Sequence, residues 1–150
     1  LEKHLKTSYL RLTQFGPNCA LEIEATLDEL EDKGMRSLIL DLRENRGHDL
    51  HETVKILGLF VPPATAVVSV RERSKPEEFL TTRDRQRRKR EYPLAILIDR
   101  NSASAYELTA RSLQDLKRAT ILGEKSYGKG SVQNIIPMGG GTHLRLTIAT

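Results

Sequence analysis

The sequence predicts an α/β domain built on a mixed, mostly parallel sheet flanked by helices. Three features predict it. Short apolar runs alternate with amphipathic stretches, the first β-α-β unit has the spacing of a parallel crossover, and further strand-like runs gather late in the chain. In chain order, Tyr9-Leu-Arg-Leu-Thr13 alternates apolar and polar residues as a half-buried strand does. Pro17-Asn18 offers a helix start, and Ala20, Leu21, Ile23, Leu27 and Leu30 form an apolar stripe among carboxylates. The stripe ends at Lys33-Gly34, a basic last turn followed by a C-cap glycine. Ser37–Leu42 is an apolar run short enough for a buried strand. Strand, helix and strand in this succession read as a right-handed parallel crossover.

The polar loop Arg43–Asp49 then leaves the C-terminal end of that strand. Asp49 and Glu52 have the spacing of a capping box, opening a helix with Val54, Leu57 and Phe60 inward until Pro62-Pro63 stops it. Ala66–Val70 is a further strand, and the charged stretch Arg71–Glu91 reads as an excursion between core elements. Leu94–Ile98 is the most apolar run and hence a central strand. A helix from about Ala103 to Lys117 follows, then short strands around Thr120–Leu122, Val132–Ile136 and Leu144–Ile148.

Composition narrows the functional classes. A chain of 150 residues has the length of one domain and can bury an ordinary core without staples. No apolar run approaches the ~20 residues of a membrane span, and no signal peptide opens the chain. Cys19 is the only cysteine, which excludes an intrachain disulfide and a cysteine zinc cage. His4, His48, His51 and His143 are scattered without metal-ligand spacing, so no metal is expected. The net charge of +4 lives in the run from Arg83 to Glu91, which holds six basic and two acidic residues. The rest of the chain is neutral. A basic run without interleaved aromatics is read as a solvated loop or exposed helix, so no nucleic-acid partner is expected.

Two loops follow the carboxyl ends of predicted strands, where open α/β sheets bind ligands: Arg43–Asp49 and Asp99–Ser104. The second puts Ser102 and Ser104 at a helix N-terminus, where unpaired amides and the helix dipole favour a developing oxyanion. Asn and Ser before a helix also serve as plain N-caps. Gly123-Glu-Lys-Ser-Tyr-Gly-Lys129-Gly130 nearly spells a phosphate-binding GxxxxGK[ST] loop. It fails because Gly130 stands where the Ser or Thr belongs and the next residues are β-rich rather than helical. Its glycines permit a sharp turn that brings Lys129 close to other groups. A serine nucleophile needs a base, and a lysine serves if its pocket keeps it neutral. The residue that orients such a lysine should be uncharged, a condition Gln133 meets; the same glutamine also fits an ordinary strand edge.

These residues match a family. The stretches Tyr9-Leu-Arg-Leu-Thr-Gln-Phe15, Leu38-Ile-Leu-Asp-Leu-Arg43 with Asn45 and Gly47, Asn101-Ser-Ala-Ser-Ala105 with Glu107, and Gly123-Glu-Lys-Ser-Tyr-Gly-Lys-Gly-Ser-Val-Gln133 resemble the carboxyl-terminal processing, or tail-specific, serine proteases. The resemblance covers essentially the whole chain and implies a Clp-protease/crotonase-like α/β core. It implies Ser104 as nucleophile, Lys129 as general base and Gln133 as the residue holding the lysine. It also implies an oxyanion hole made by the backbone amides of Ala105 and of His48, beside Gly47. The implied reaction is endopeptidase cleavage through an acyl-enzyme, with no metal or organic cofactor. Implied substrates are polypeptides with exposed, apolar C-terminal tails, and the implied setting is the bacterial periplasm or envelope, or the thylakoid lumen.

Two departures from the family pattern fall beside the implied triad. His48 stands where a second glycine is usual, and Tyr106 where a third serine is usual. They open an alternative reading, a catalytically impaired member that binds a peptide or apolar ligand. The family also carries a PDZ domain before the first strand and further chain after the last, so residues 1–150 read as an excised catalytic core.

Overall fold

The computed structural model describes residues 6–47, 49–83 and 88–150. Its strands are β1 (Thr7–Arg11), β2 (Ser37–Asp41), β3 (Arg46–Gly47), β4 (Ala66–Val70), β5 (Glu78–Thr81), β6 (Leu94–Ile98), β7 (Ala103–Ser104), β8 (Thr120–Gly123), β9 (Val132–Gly139) and β10 (Thr142–Ala149). Its helices are α1 (Cys19–Asp32), α2 (Leu50–Leu57) and α3 (Ala105–Asp115). The main sheet is parallel throughout, in the order β1-β2-β6-β8. The Leu94–Ile98 run is an interior strand of it, as its apolar character predicts.

Helix α1 starts after Asn18, whose backbone is left-handed at φ 67°, and stops at Gly34, at φ 86°. Between these points Cys19, Ala20, Ile23 and Leu27 turn inward. Helix α2 is capped by the Asp49 carboxylate, which accepts from the Glu52 amide at 3.0 Å, as the Asp49/Glu52 spacing predicts. It packs against both α1 and α3. Leu27, Leu38, Leu40, Ile56, Ile96 and Leu113 form the centre of the core, all essentially inaccessible. Each such side chain contributes roughly 1.5–3 kcal/mol through burial.

The antiparallel strands stand apart from the main sheet. β4 pairs with β5, and β9 pairs with β10 in a hairpin turned by Gly139, Gly140 and Gly141, all at positive φ. β5 lies inside the stretch read from sequence as an excursion. Helix α3 starts two residues later than expected, because Ala103–Ser104 pairs in parallel with Arg46–Gly47 instead. Ser104, at φ 59° and ψ −114°, cannot continue a helix.

The basic run from Arg83 is not uniformly solvated. Residues 84–87 lie outside the described residues, but Arg88 and Arg90 reach back to α1. Arg90 is buried, donating to Glu31 at 2.9 Å and Asp28 at 2.6 Å, and Arg88 pairs with Asp32 at 2.7 Å. Carboxylates of α1 therefore draw Arg90 inward and pair with Arg88 at the surface. Among the described residues, no helix is long and apolar enough to cross a membrane.

Candidate active site

The site is assembled from two loops at the carboxyl ends of β2 and β6. At the end of β2, Asp41 is inaccessible and receives the Arg43 guanidinium through Nε at 2.9 Å and Nη2 at 2.8 Å. The Arg43 backbone amide and the Tyr9 hydroxyl add further bonds. Arg43 is the main reason this carboxyl titrates far below its usual range; burial opposes the shift and loses. The turn that follows carries Glu44 at φ 60° and is stitched down by its neighbours. Asn45 donates to the Leu12 carbonyl, and the Glu44 amide donates to Asp99 Oδ1 at 3.0 Å.

Asp99 and Ser102 organise the second loop. Asp99 Oδ1 accepts from the amides of Asn101 and Ser102 at 3.1 and 3.0 Å, and from the Ser102 hydroxyl at 3.1 Å. Burial pushes the Asp99 carboxyl up, but these bonds together with that from Glu44 outweigh it and hold the group low. The single proton of the buried Ser102 hydroxyl is shared between Asp99 Oδ1 and the Leu42 carbonyl, which stands nearer at 2.8 Å. Ser102 thus locks the two loops together, whereas Ser104 lines the cleft.

The loops meet in the β3–β7 pair, which sets Gly47 opposite Ser104. Glycine is required at 47 by contact rather than by dihedral angle. A Cβ there would stand 2.4 Å from the Ala105 Cβ and 3.0 Å from Tyr106 Cδ2. His48 lies outside the described residues, so of the sequence-predicted oxyanion positions the structure describes Gly47 and Ala105. Ser104 holds a positive φ that a non-glycine residue adopts at a cost of about 1–3 kcal/mol.

Glu107 connects this turn to the lysine segment. Its Oε2 accepts the Ser104 amide at 2.8 Å and the Lys129 amide at 2.9 Å, while Oε1 accepts the Gly128 amide at 2.6 Å. Partial burial raises the pKa of this carboxyl, but the Ser126 hydroxyl and the three amides outweigh it and leave it below the usual range. The Tyr127 amide adds a bond to the Ser102 carbonyl at 3.1 Å. Sequence reasoning gave Glu107 no role. The signal was its position three residues after Ser104, the same capping spacing recognised at Asp49 and Glu52.

Ser104, Lys129 and Gln133 all line one cleft of about 640 Å³, with Gly47, Tyr127, Ile135 and Arg145. The three also border a smaller cavity of about 280 Å³ walled by Leu50, Val68, Val70, Leu108 and Val132. No hydrogen bond joins the Ser104 hydroxyl to the Lys129 ammonium. Gln133 donates from Nε2 to Thr147 at 3.4 Å, and its amide oxygen accepts nothing among the described residues. Tyr106 points away from the cleft. It is fully buried, its ring 4.3 Å from that of Phe15 in an edge-to-face contact, and its hydroxyl has no partner among the described residues.

Fold and site together define an α/β protein with a strained strand-to-helix serine tied to a glycine-flanked lysine. Residues 6–150 match the sequence model of peptidase family S41, and the chain belongs to that family. It is 36% identical to a carboxyl-terminal-processing protease of Synechocystis over 94% of this chain and 32% of that protein. It is 33% identical to the carboxy-terminal processing protease CtpB of Bacillus subtilis over 93% of this chain and 29% of that protein. The solved photosystem II D1 C-terminal processing protease superposes with a TM-score of 0.83 at 28% identity, over 95% of this chain and 36% of that one. The chain thus spans about a third of the length of these relatives.

Proposed function

We propose that this chain is the catalytic core of a serine endopeptidase in which Ser104 attacks, Lys129 is the general base and Gln133 holds the lysine. The observation that carries the reading is the Glu107 carboxylate, which fixes the backbones of Ser104 and Lys129 on one oxygen beside a shared cleft. In the proposed reaction neutral Lys129 takes the Ser104 hydroxyl proton as Oγ bonds to the scissile carbonyl carbon. The amides of Ala105 and His48 receive the oxyanion. The C–N bond breaks as the lysine returns the proton to the leaving amine, and water then hydrolyses the acyl ester by the same route.

The cavity beside Ser104, walled by Leu50, Val68, Val70, Leu108 and Val132, supports a preference for an apolar residue next to the scissile bond. That suits polypeptides with exposed apolar C-terminal tails. No cofactor enters this scheme. A place in the bacterial periplasm or envelope rests on the family resemblance; the relatives come from bacteria and, in one case, from a chloroplast. The test compares the chain with Ser104→Ala and Lys129→Ala on an unfolded substrate ending in apolar residues. Cleavage by the parent alone is expected, and equal cleavage by all three would overturn the assignment.

A further inference from the structure

The two spaces bordering Ser104 differ in character. The smaller cavity has an aliphatic wall of Leu50, Val68, Val70, Leu108 and Val132, and Lys129 and Gln133 border both spaces. The larger cleft carries two cations, Lys129 and Arg145, and no carboxylate among its lining residues. Arg145 projects from β10 at the position paired with Ile135 of β9, so both side chains occupy the hairpin face that borders the cleft. It is exposed, and its guanidinium has neither an ion pair nor a hydrogen bond among the described residues. The nearby carboxylate, Glu107, is engaged by backbone amides. A lysine acting as base works in its neutral form, whereas an arginine stays charged throughout. Arg145 is thus the permanent, unsatisfied positive charge of the cleft, and its planar fork matches a carboxylate.

We propose that Arg145 is a specificity-determining residue that binds a carboxylate of the peptide, on the side of the scissile bond opposite the residue held in the apolar cavity. The carboxylate comes from an acidic side chain or from the C-terminus of the peptide itself. The proposal rests on reading the Ser104 cleft as a peptide site. An extended peptide advances about 3.3 Å per residue, so a peptide anchored in the cavity passes Ser104 and continues along the β9–β10 face.

The test is made by binding, which needs no turnover, in the Ser104→Ala chain. Four fluorescent peptides share one apolar segment and differ only beyond it, carrying Glu or Gln and ending in a free acid or an amide. Peptides with a carboxylate are expected to bind about three- to tenfold tighter than the Gln amide at low salt, with the advantage shrinking as salt rises. Comparing the Glu amide with the Gln acid shows which source supplies the group. The ratio is expected to fall to about one in Ser104→Ala/Arg145→Gln and to invert in Ser104→Ala/Arg145→Glu. In Ser104→Ala/Arg145→Lys it is expected to persist in part. A ratio of one with Arg145 present, a ratio unmoved by its replacement, or no binding of any peptide overturns the proposal. Equal hydrolysis by the parent and Ser104→Ala chains overturns instead the catalytic reading, independently of this ratio.

Discussion

A single oxygen of Glu107 accepts the backbone amides of both Ser104 and Lys129, at 2.8 and 2.9 Å. Residues 25 positions apart in sequence are thereby held on one acceptor, which joins the Tyr127–Ser102 backbone bond in setting the spacing of the two segments. Glu107→Gln keeps the shape but turns an NH₂ donor toward amides that are themselves donors. We expect it to lower stability by about 1 kcal/mol, chiefly through the part-buried Ser104 amide, since the exposed Gly128 and Lys129 amides regain water. We expect hydrolysis to fall further than the folded fraction does, because the lysine segment loses its anchor. Urea unfolding and initial rates on the same preparation check both. Wild-type rates per folded molecule would refute the anchoring role.

Gly47 is the second constraint on the site. Because a Cβ at this position meets Ala105 and Tyr106, Gly47→Ala forces β3 away from β7. Overpacking of this kind costs about 1–3 kcal/mol. The displaced segment leads directly into residue 48, so activity is expected to be lost even under conditions where the variant stays folded. A variant with full activity and an unaltered melting midpoint would show that the contact relaxes harmlessly.

Much of the scaffold was legible in the sequence because it depends on local apolar patterning. Ser37–Leu42 and Leu94–Ile98 are short apolar runs with the length of a buried strand, and Lys33-Gly34 marks a helix end through its own chemistry. Ser104, Lys129 and Gln133 were reached through motif resemblance, which specifies residue types but no contacts. What escaped was long-range. The two-residue pairing of β3 with β7 has no periodicity to detect, and it replaced an expected first half-turn of helix. The burial of Arg90 depends on Asp28 and Glu31, some sixty positions earlier, so a local reading of the basic run assigns it to solvent. Glu107 was visible as a cap, but its bonds to Gly128 and Lys129 required the fold.

Of the two departures from the family pattern, the structure describes Tyr106, whereas His48 lies outside the described residues. Tyr106 fills the core against Phe15, and burial pushes its phenol above the usual value while its hydroxyl has no partner among the described residues. Tyr106→Phe is expected to stabilise the fold by about 1 kcal/mol, by removing an unsatisfied buried group. Tyr106→Ser is expected to destabilise it by about 3–5 kcal/mol through the cavity it leaves. Restoring the family serine is therefore a poor test of an impaired site, and His48→Gly alone is the informative change. Activity that appears only in His48→Gly would favour the ligand-binding reading, whereas equal activity in parent and variant would remove it.

The two arginines that reach α1 are expected to differ in energetic weight. Arg90 is buried between Asp28 and Glu31, and Arg88 is partly exposed over the same carboxylates. Arg90→Met should cost about 3 kcal/mol, the low end for breaking a buried pair, because its acidic partners retain some water. Arg88→Ala should shift the unfolding midpoint far less, since exposed pairs contribute little. Equal shifts would show that Arg90 is held by packing of its aliphatic stem rather than by charge.

Acid should open the site from its supports. Asp41, Asp99 and Glu107 all titrate below their ordinary range in the folded protein, Asp41 chiefly through Arg43 and the other two through bonds that outweigh burial. A folded pKa below the unfolded one means the unfolded chain binds protons first as pH falls. Their contribution is therefore complete above the ordinary carboxyl range of about pH 4–5 and is lost progressively as pH drops through the folded values. Unfolding by urea at a series of pH values from 7 to 2 should show stability declining below that range. In Glu107→Gln the decline should be shallower, because one of the coupled groups no longer titrates. A variant whose stability falls as steeply as the parent's would mean that Glu107 contributes no proton linkage, and its hold on the Ser104 and Lys129 amides would then be energetically minor.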